Sequence, residues 1–159
     1  MRILAAVALC CIFLGCAGGV NHKVANSLRD RLHSENTCII KIEDFATFPW
    51  DTMYVFSELA FRSDIERILR TDLPSYSELD QVIAFKDKGK TVYTENTPYE
   101  PSDIPDGSIS YFGIVYGRVC RVIPRSEAVF RAERLFVKGN TFYSLDTLST
   151  VQKDVAKSR

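Results

Sequence analysis

The chain has 159 residues, 46% of them hydrophobic and 25% charged, with 20 Lys and Arg balanced by 20 Asp and Glu. That length is one ordinary domain with enough apolar content to bury a core without staples. The balanced charge implies no strongly basic face, so nucleic acid is not an expected partner.

Met1-Arg2 is a short positive start, followed by an unbroken apolar run from Ile3 to Leu14 and the small residues Gly15, Cys16, Ala17, Gly18 and Gly19. The run is shorter than the roughly 20 residues a membrane-spanning helix needs. Nothing polar interrupts the run to give a buried N-terminal helix a second face, so residues 1–15 read as a secretory signal. Leu14-Gly15-Cys16 resembles the end of the bacterial lipoprotein signal. That resemblance implies lipidation of Cys16, attachment to the membrane and, with Ala17 following, the outer membrane of the cell envelope. Ordinary cleavage beside Gly15 and Ala17, giving a periplasmic or secreted protein, is the alternative.

Residues 16–23 are a tether, 24–152 a single domain and 153–159 a flexible tail. Val24, Leu28 and Leu32 recur every fourth residue and predict a short amphipathic helix ending before Ser34-Glu35-Asn36. Cys38–Ile42 is a β-branched strand. A second strand, Trp50–Phe56, follows so closely that the two are expected to pair antiparallel. In that second strand Met53 and Val55 alternate with Tyr54 and Phe56, so both faces are apolar and the strand belongs in the middle of a sheet. Ser63-Asp64-Ile65-Glu66 has capping-box spacing and predicts a helix that Pro74 stops. Gln81–Lys86 and Thr91–Thr94 flank a Gly89 turn as a hairpin. Asn96 to Gly107 is a proline-marked acidic loop, and Ile109–Ile123 is one bent strand or two short ones. Ala128–Val137 and Thr141–Leu145 form a second hairpin, with room for a short helix around Leu148, Val151 and Val155. The expected fold class is α+β: a single domain, mostly an antiparallel sheet of hairpins, with two or three short helices packed on one face.

Of five cysteines, Cys10 and Cys11 lie in the signal. If Cys16 carries lipid, Cys38 and Cys120 remain, an even pair in a compartment that permits disulfides. A bridge would close a loop of roughly 80 residues and stabilise by about 4 kcal/mol. The other reading is two unpaired thiols packed as small hydrophobes.

The two histidines, His22 and His33, lack metal-pair spacing, and no glycine-rich phosphate loop or CxxC pair occurs. We therefore expect no catalytic or metal-ligating residues and no cofactor. Trp50, Asp51 and Tyr54 are a candidate surface for a sugar or peptide, weighed against a core tryptophan beside a turn aspartate. Tyr99, Glu100 and Asp103 belong to the acidic loop from Glu95 to Asp106, a candidate contact for a basic partner or a solvated connection. Arg118, Arg121, Arg125, Arg131 and Arg134 are expected on one wet strand face.

Trp50-Asp51-Thr52-Met53-Tyr54-Val55-Phe56, the helix at Ile65–Leu69 and the hairpin Phe85–Val92 together resemble a group of small, uncharacterised bacterial secreted proteins and lipoproteins with a Trp-Asp-x-x-Tyr-x-Phe strand. Where such sequences turn at a Gly-Pro-Tyr-like element, this chain has Ser57-Glu58-Leu59-Ala60. The resemblance implies export and fold, and brings no catalytic residue or ligand. The resulting expectation is a non-enzymatic envelope module that binds an envelope protein or glycan or maintains the surface. Alternatives are an inhibitor or immunity protein acting through the acidic loop, and a glycan-active enzyme using Asp51 with Glu58 or Asp44.

Overall fold

The computed structural model describes residues 18–73, 75–97, 106–115 and 117–148. The signal segment with Cys16, the loop residues Tyr99, Glu100 and Asp103, and the tail with Val151 and Val155 lie outside them.

Helix α1 (Val20–Arg31) buries Val20, Val24, Ala25 and Leu28, the four-residue spacing read from the sequence. It begins four residues earlier than expected, which shortens the proposed tether. The reason lies far along the chain. The Asn21 N–H donates to the Glu95 carboxylate at 3.0 Å, and the Val20 N–H donates to the Tyr93 hydroxyl at 3.1 Å. These acceptors satisfy amides that would otherwise be orphaned at a helix start.

Strand β1 (Thr37–Lys41) leads through a 3-10 turn at Ile42–Asp44 to β2 (Thr52–Phe56). The expected pairing of these two strands does not occur; they belong to different sheets. The link between them changes layer. Ile42 N–H donates to Ala128 O at 3.0 Å, Asp51 N–H to Lys86 O at 2.8 Å, and Arg125 N–H to Asp51 O at 2.8 Å.

Helix α2 (Arg62–Leu69) starts from an extended Phe61 with no side-chain cap, so Ser63 does not form the expected capping box. Glu66 is engaged elsewhere: its Oε1 accepts from Arg62 Nε at 2.8 Å and from the Leu73 N–H at 3.0 Å. Strands β3 (Gln81–Asp87) and β4 (Lys90–Thr97) form the predicted hairpin. Its turn residues Lys88 and Gly89 both have positive φ, 50° and 79°, the requirement of a two-residue turn that follows strand twist.

The stretch read as one bent strand or two short ones is β5 (Ser108–Ser110), a short helix α3 (Phe112–Val115) and β6 (Cys120–Pro124). Its two strands join different sheets. Strands β7 (Val129–Val137) and β8 (Asn140–Thr147) are the second hairpin.

The fold is α+β with mostly antiparallel pairing, but in two four-stranded sheets instead of one. The first has the order β1-β7-β8-β5, with β5 parallel to β8; the second has the order β4-β3-β2-β6. The main core lies between them: Ile40, Phe130, Ala132, Tyr143 and Leu145 meet Met53, Val55, Ile83, Phe85 and Ile123, while α1 packs against β5 and β4. A second cluster on the other side of β2 and β3 joins Phe56, Val82 and Ala84 to Ile65 and Leu69 of α2. Strand β2 is thus central and covered on both faces, as its alternation requires. A single sheet with helices on one face would have left one of those faces wet.

Candidate functional site

The aromatic stretch around Trp50 is core. Trp50 is buried, its ring edge-on to Phe85 at 5.1 Å, and Phe48 stacks on Tyr93 at 4.9 Å. Tyr54 points to the opposite side of the sheet, packed toward α2 with Lys86 Nζ 5.0 Å from its ring. Asp51 braces a turn: Oδ1 accepts from Thr52 Oγ1 at 2.7 Å and Oδ2 from the Lys88 N–H at 2.6 Å. The Thr52 hydroxyl and then the Lys88 amide hold its carboxyl below the usual 3.8. Trp50, Asp51 and Tyr54 therefore do not form one binding surface.

The other candidates separate as well. Glu95, at the root of the acidic loop, is turned inward to cap α1. The arginines do not share a face. Arg121 donates to Thr147 Oγ1 at 3.3 Å, Arg125 lies over the Trp50 ring and 3.5 Å from Glu43, and Arg134 sits over Phe136. Asp51 and Glu58 flank opposite ends of β2, on the order of 20 Å apart at strand rise, so that pair cannot act on one bond. Asp44 closes the 3-10 turn that follows β1. Cys38 and Cys120 are free thiols. Cys38 lies against the inter-sheet core and Cys120 against the α2 cluster, so a sheet layer separates them. A bridge needs Cα atoms within about 7 Å, and the structure holds the two thiols unbridged. Burial raises both thiols, Cys120 to about 11. Among the described residues, no cluster of three or more His, Cys, Asp or Glu is placed to hold a metal, and no helix is long and apolar enough to cross a membrane.

A concave site forms among the described residues, at a stretch where Glu58 and the Ser63–Glu66 spacing are the features read from the sequence. After β2 the chain turns sharply: Ser57 N–H donates to Val119 O at 2.9 Å, Ala60 N–H to Ser57 O at 3.0 Å, and the Leu59 N–H to Ser57 Oγ at 3.3 Å. Tyr76 ties the segment before β3 to this turn, donating its hydroxyl to Ala60 O at 2.6 Å. Its phenol is raised by burial first, then by the charges of Asp80 and Glu78, so it remains a donor. Asp80 holds the same segment from behind, with Oδ2 accepting from Ser77 N–H at 3.1 Å and Asn96 Nδ2 at 3.3 Å.

Between the two segments lies a groove of about 600 Å³, within the size range of ligand sites. Its rim is apolar and unburied: Phe61 is 74% exposed, Leu59 70% and Leu79 53%. Leu79 also has φ +72°, a backbone region that costs a branched side chain on the order of 1–2 kcal/mol. The lining carries Glu58, Glu66 and Glu78 against Arg62. Glu66 and Arg62 pair at 2.8 Å, while Glu58 is held by Gln81 Nε2 at 3.3 Å, leaving the groove acidic. Leu59 and Phe61 were open to notice as large apolar residues in a stretch with neither helical nor strand period. Leu79 carried no such signal. No family model, curated protein or solved structure matches the chain.

Proposed function

We propose that this chain is an exported, lipid-anchored, non-enzymatic binding module of the cell envelope, and that its groove takes an extended segment of an envelope protein. The favoured segment presents an apolar side chain to Leu59, Phe61 and Leu79 beside a lysine or arginine that meets Glu58 and Glu78. The observation that carries this is the convergence of three exposed apolar side chains on an acidic concavity. Burying one such side chain against a partner contributes about 1.5–3 kcal/mol, and fully desolvated apolar anchors are where interface energy concentrates. The anchor rests on the apolar run Ile3–Leu14 ending at Cys16; lipid on Cys16 in the intact mass of the mature chain tests that part separately.

A random-peptide phage library panned on the purified chain tests the groove. Enriched peptides should combine an aliphatic or aromatic anchor with a neighbouring Lys or Arg, and Phe61→Asp should reduce their retention at least tenfold. Enrichment of acidic peptides, or retention indifferent to Phe61→Asp and Glu78→Lys, would overturn the reading.

A further inference from the structure

The β7–β8 hairpin outruns the sheet that holds it. Strand β1 pairs only with Val129–Glu133 and β5 only with Phe142–Ser144, so residues 134–141 project as a two-stranded tip. The base is braced. Arg134 N–H donates to Asn36 O at 3.2 Å, Gly107 N–H to Thr141 O at 2.7 Å, and Thr141 N–H to Asp106 Oδ1 at 2.8 Å. The turn is tight, with Lys138 at φ 50° and Gly139 at φ 89°, so the tip is a stiff ribbon.

Its chemistry is unusual for a projecting turn. Phe136 is 67% exposed and Val137 is exposed beside it. Because side chains alternate along a strand, these two point to opposite faces of the ribbon. Cations bracket them: the Arg134 guanidinium lies 5.3 Å from the Phe136 ring, and Lys138 opens the turn. No acid lies between Arg134 and Thr141, and the adjoining ones, Glu133 and Asp106, belong to the base.

We propose that this tip seats on an anionic lipid surface, with Phe136 and Val137 in the acyl boundary and Arg134 and Lys138 at the headgroup phosphates. A protein partner covers one face of a ribbon, whereas a bilayer surrounds both, which suits apolar side chains that point in opposite directions. Cations on flexible stems beside buried apolar groups are the arrangement that interfacial binding favours. The tip is separate from the groove and shares only the membrane with the proposed anchor.

The test uses the purified chain carrying Phe136→Trp, mixed with vesicles of phosphatidylcholine and phosphatidylglycerol at 3:1, or of phosphatidylcholine alone. Brominated phosphatidylcholine should quench the new tryptophan at least twofold on the anionic vesicles, while buried Trp50 in the unsubstituted chain stays unquenched. Lys138→Glu should remove most of that quenching, and Phe136→Ser with Val137→Ser should weaken vesicle partitioning several-fold. A vesicle-bound chain whose residue 136 is unquenched overturns the proposal and leaves the anchor reading standing. Equal quenching on both vesicle types, or a tip-dependent dimer without quenching, overturns it too. Quenching by a chain whose mass carries no lipid retires the anchor and keeps the tip.

Discussion

Lys86 Nζ donates to the carbonyl oxygen of Ile68 at 2.8 Å, so a cation from the middle of the second sheet caps the C-terminal end of α2. Thr91 Oγ1 donates to the next carbonyl, Leu69 O, also at 2.8 Å. The helix then stops at Arg70 in the left-handed region, φ 56°. Lys86 is buried, with its Nζ 5.0 Å from the centre of the Tyr54 ring. A charged hydrogen bond of this kind contributes about 1.5–3 kcal/mol, offset in part by desolvation of the ammonium. Lys86→Met keeps the stem and should cost about 1–2 kcal/mol by urea unfolding; Lys86→Ala, which also opens a cavity, should cost more. A neutral Lys86→Met would mean that the cap does not hold α2.

Two carboxylates should move the acid limb of stability in opposite directions. The Leu73 N–H, and after it Arg62, holds Glu66 below its ordinary value of 4.5. Its contribution is present above 4.5 and disappears as pH falls through the lowered folded value. Asp146 behaves oppositely. Burial first, then Glu133, raises it above 3.8, with Arg131 opposing. Its carboxylate occupies the space a side chain at Gly113 would fill, which explains the desolvation. The fold favours its protonated form, so its contribution is full below 3.8 and lost as pH rises through the raised folded value. Glu66→Gln should therefore lower stability at pH 7, and Asp146→Asn should raise it. Urea midpoints of both variants should approach that of the parent chain near pH 2.5. Same-sign changes at pH 7 would sink the assignment.

The two thiols should be unlinked and slow to react. With its thiol raised by burial to about 11 from an ordinary 9.0, Cys120 has roughly a hundredfold less thiolate at pH 8 than an open cysteine. Iodoacetamide on the native chain should label Cys38 before Cys120, and both only after denaturation at full rate. A cross-linked Cys38–Cys120 peptide that disappears on reduction would contradict the two-layer arrangement.

Local pattern carried some of this fold and contact across the chain carried the rest. The alternation Met53, Val55 against Tyr54, Phe56 implied a strand covered twice, and both covers exist. Gly89 announced its turn. The division into two sheets had no local mark, because β1 and β2 are neighbours in sequence and their partners lie some 90 and 30 residues away. The start of α1 was illegible for the same reason: Glu95 and Tyr93 cap it from β4. Most of the groove escaped notice because its residues obey no period. Of Ser57-Glu58-Leu59-Ala60, the departure from the resembling sequences, Glu58, Leu59 and Ala60 line it.

Leu79 is where stability and binding should part. It is left-handed in backbone and more than half exposed in side chain, so the fold bears strain there and gains little burial in return. Glycine accepts this conformation without a Cβ clash, and relief of the clash outweighs the extra freedom glycine gives the unfolded chain. Leu79→Gly should therefore leave stability unchanged or raise it by about 0.5–1 kcal/mol. It should also weaken retention of groove-selected peptides several-fold, because one of the three apolar anchors is gone. The combination separates two explanations of the strained leucine. If Leu79 were a structural residue, the glycine variant would unfold at lower urea and bind in proportion to its folded fraction. A variant that is at least as stable as the parent and yet binds poorly places Leu79 in the binding groove.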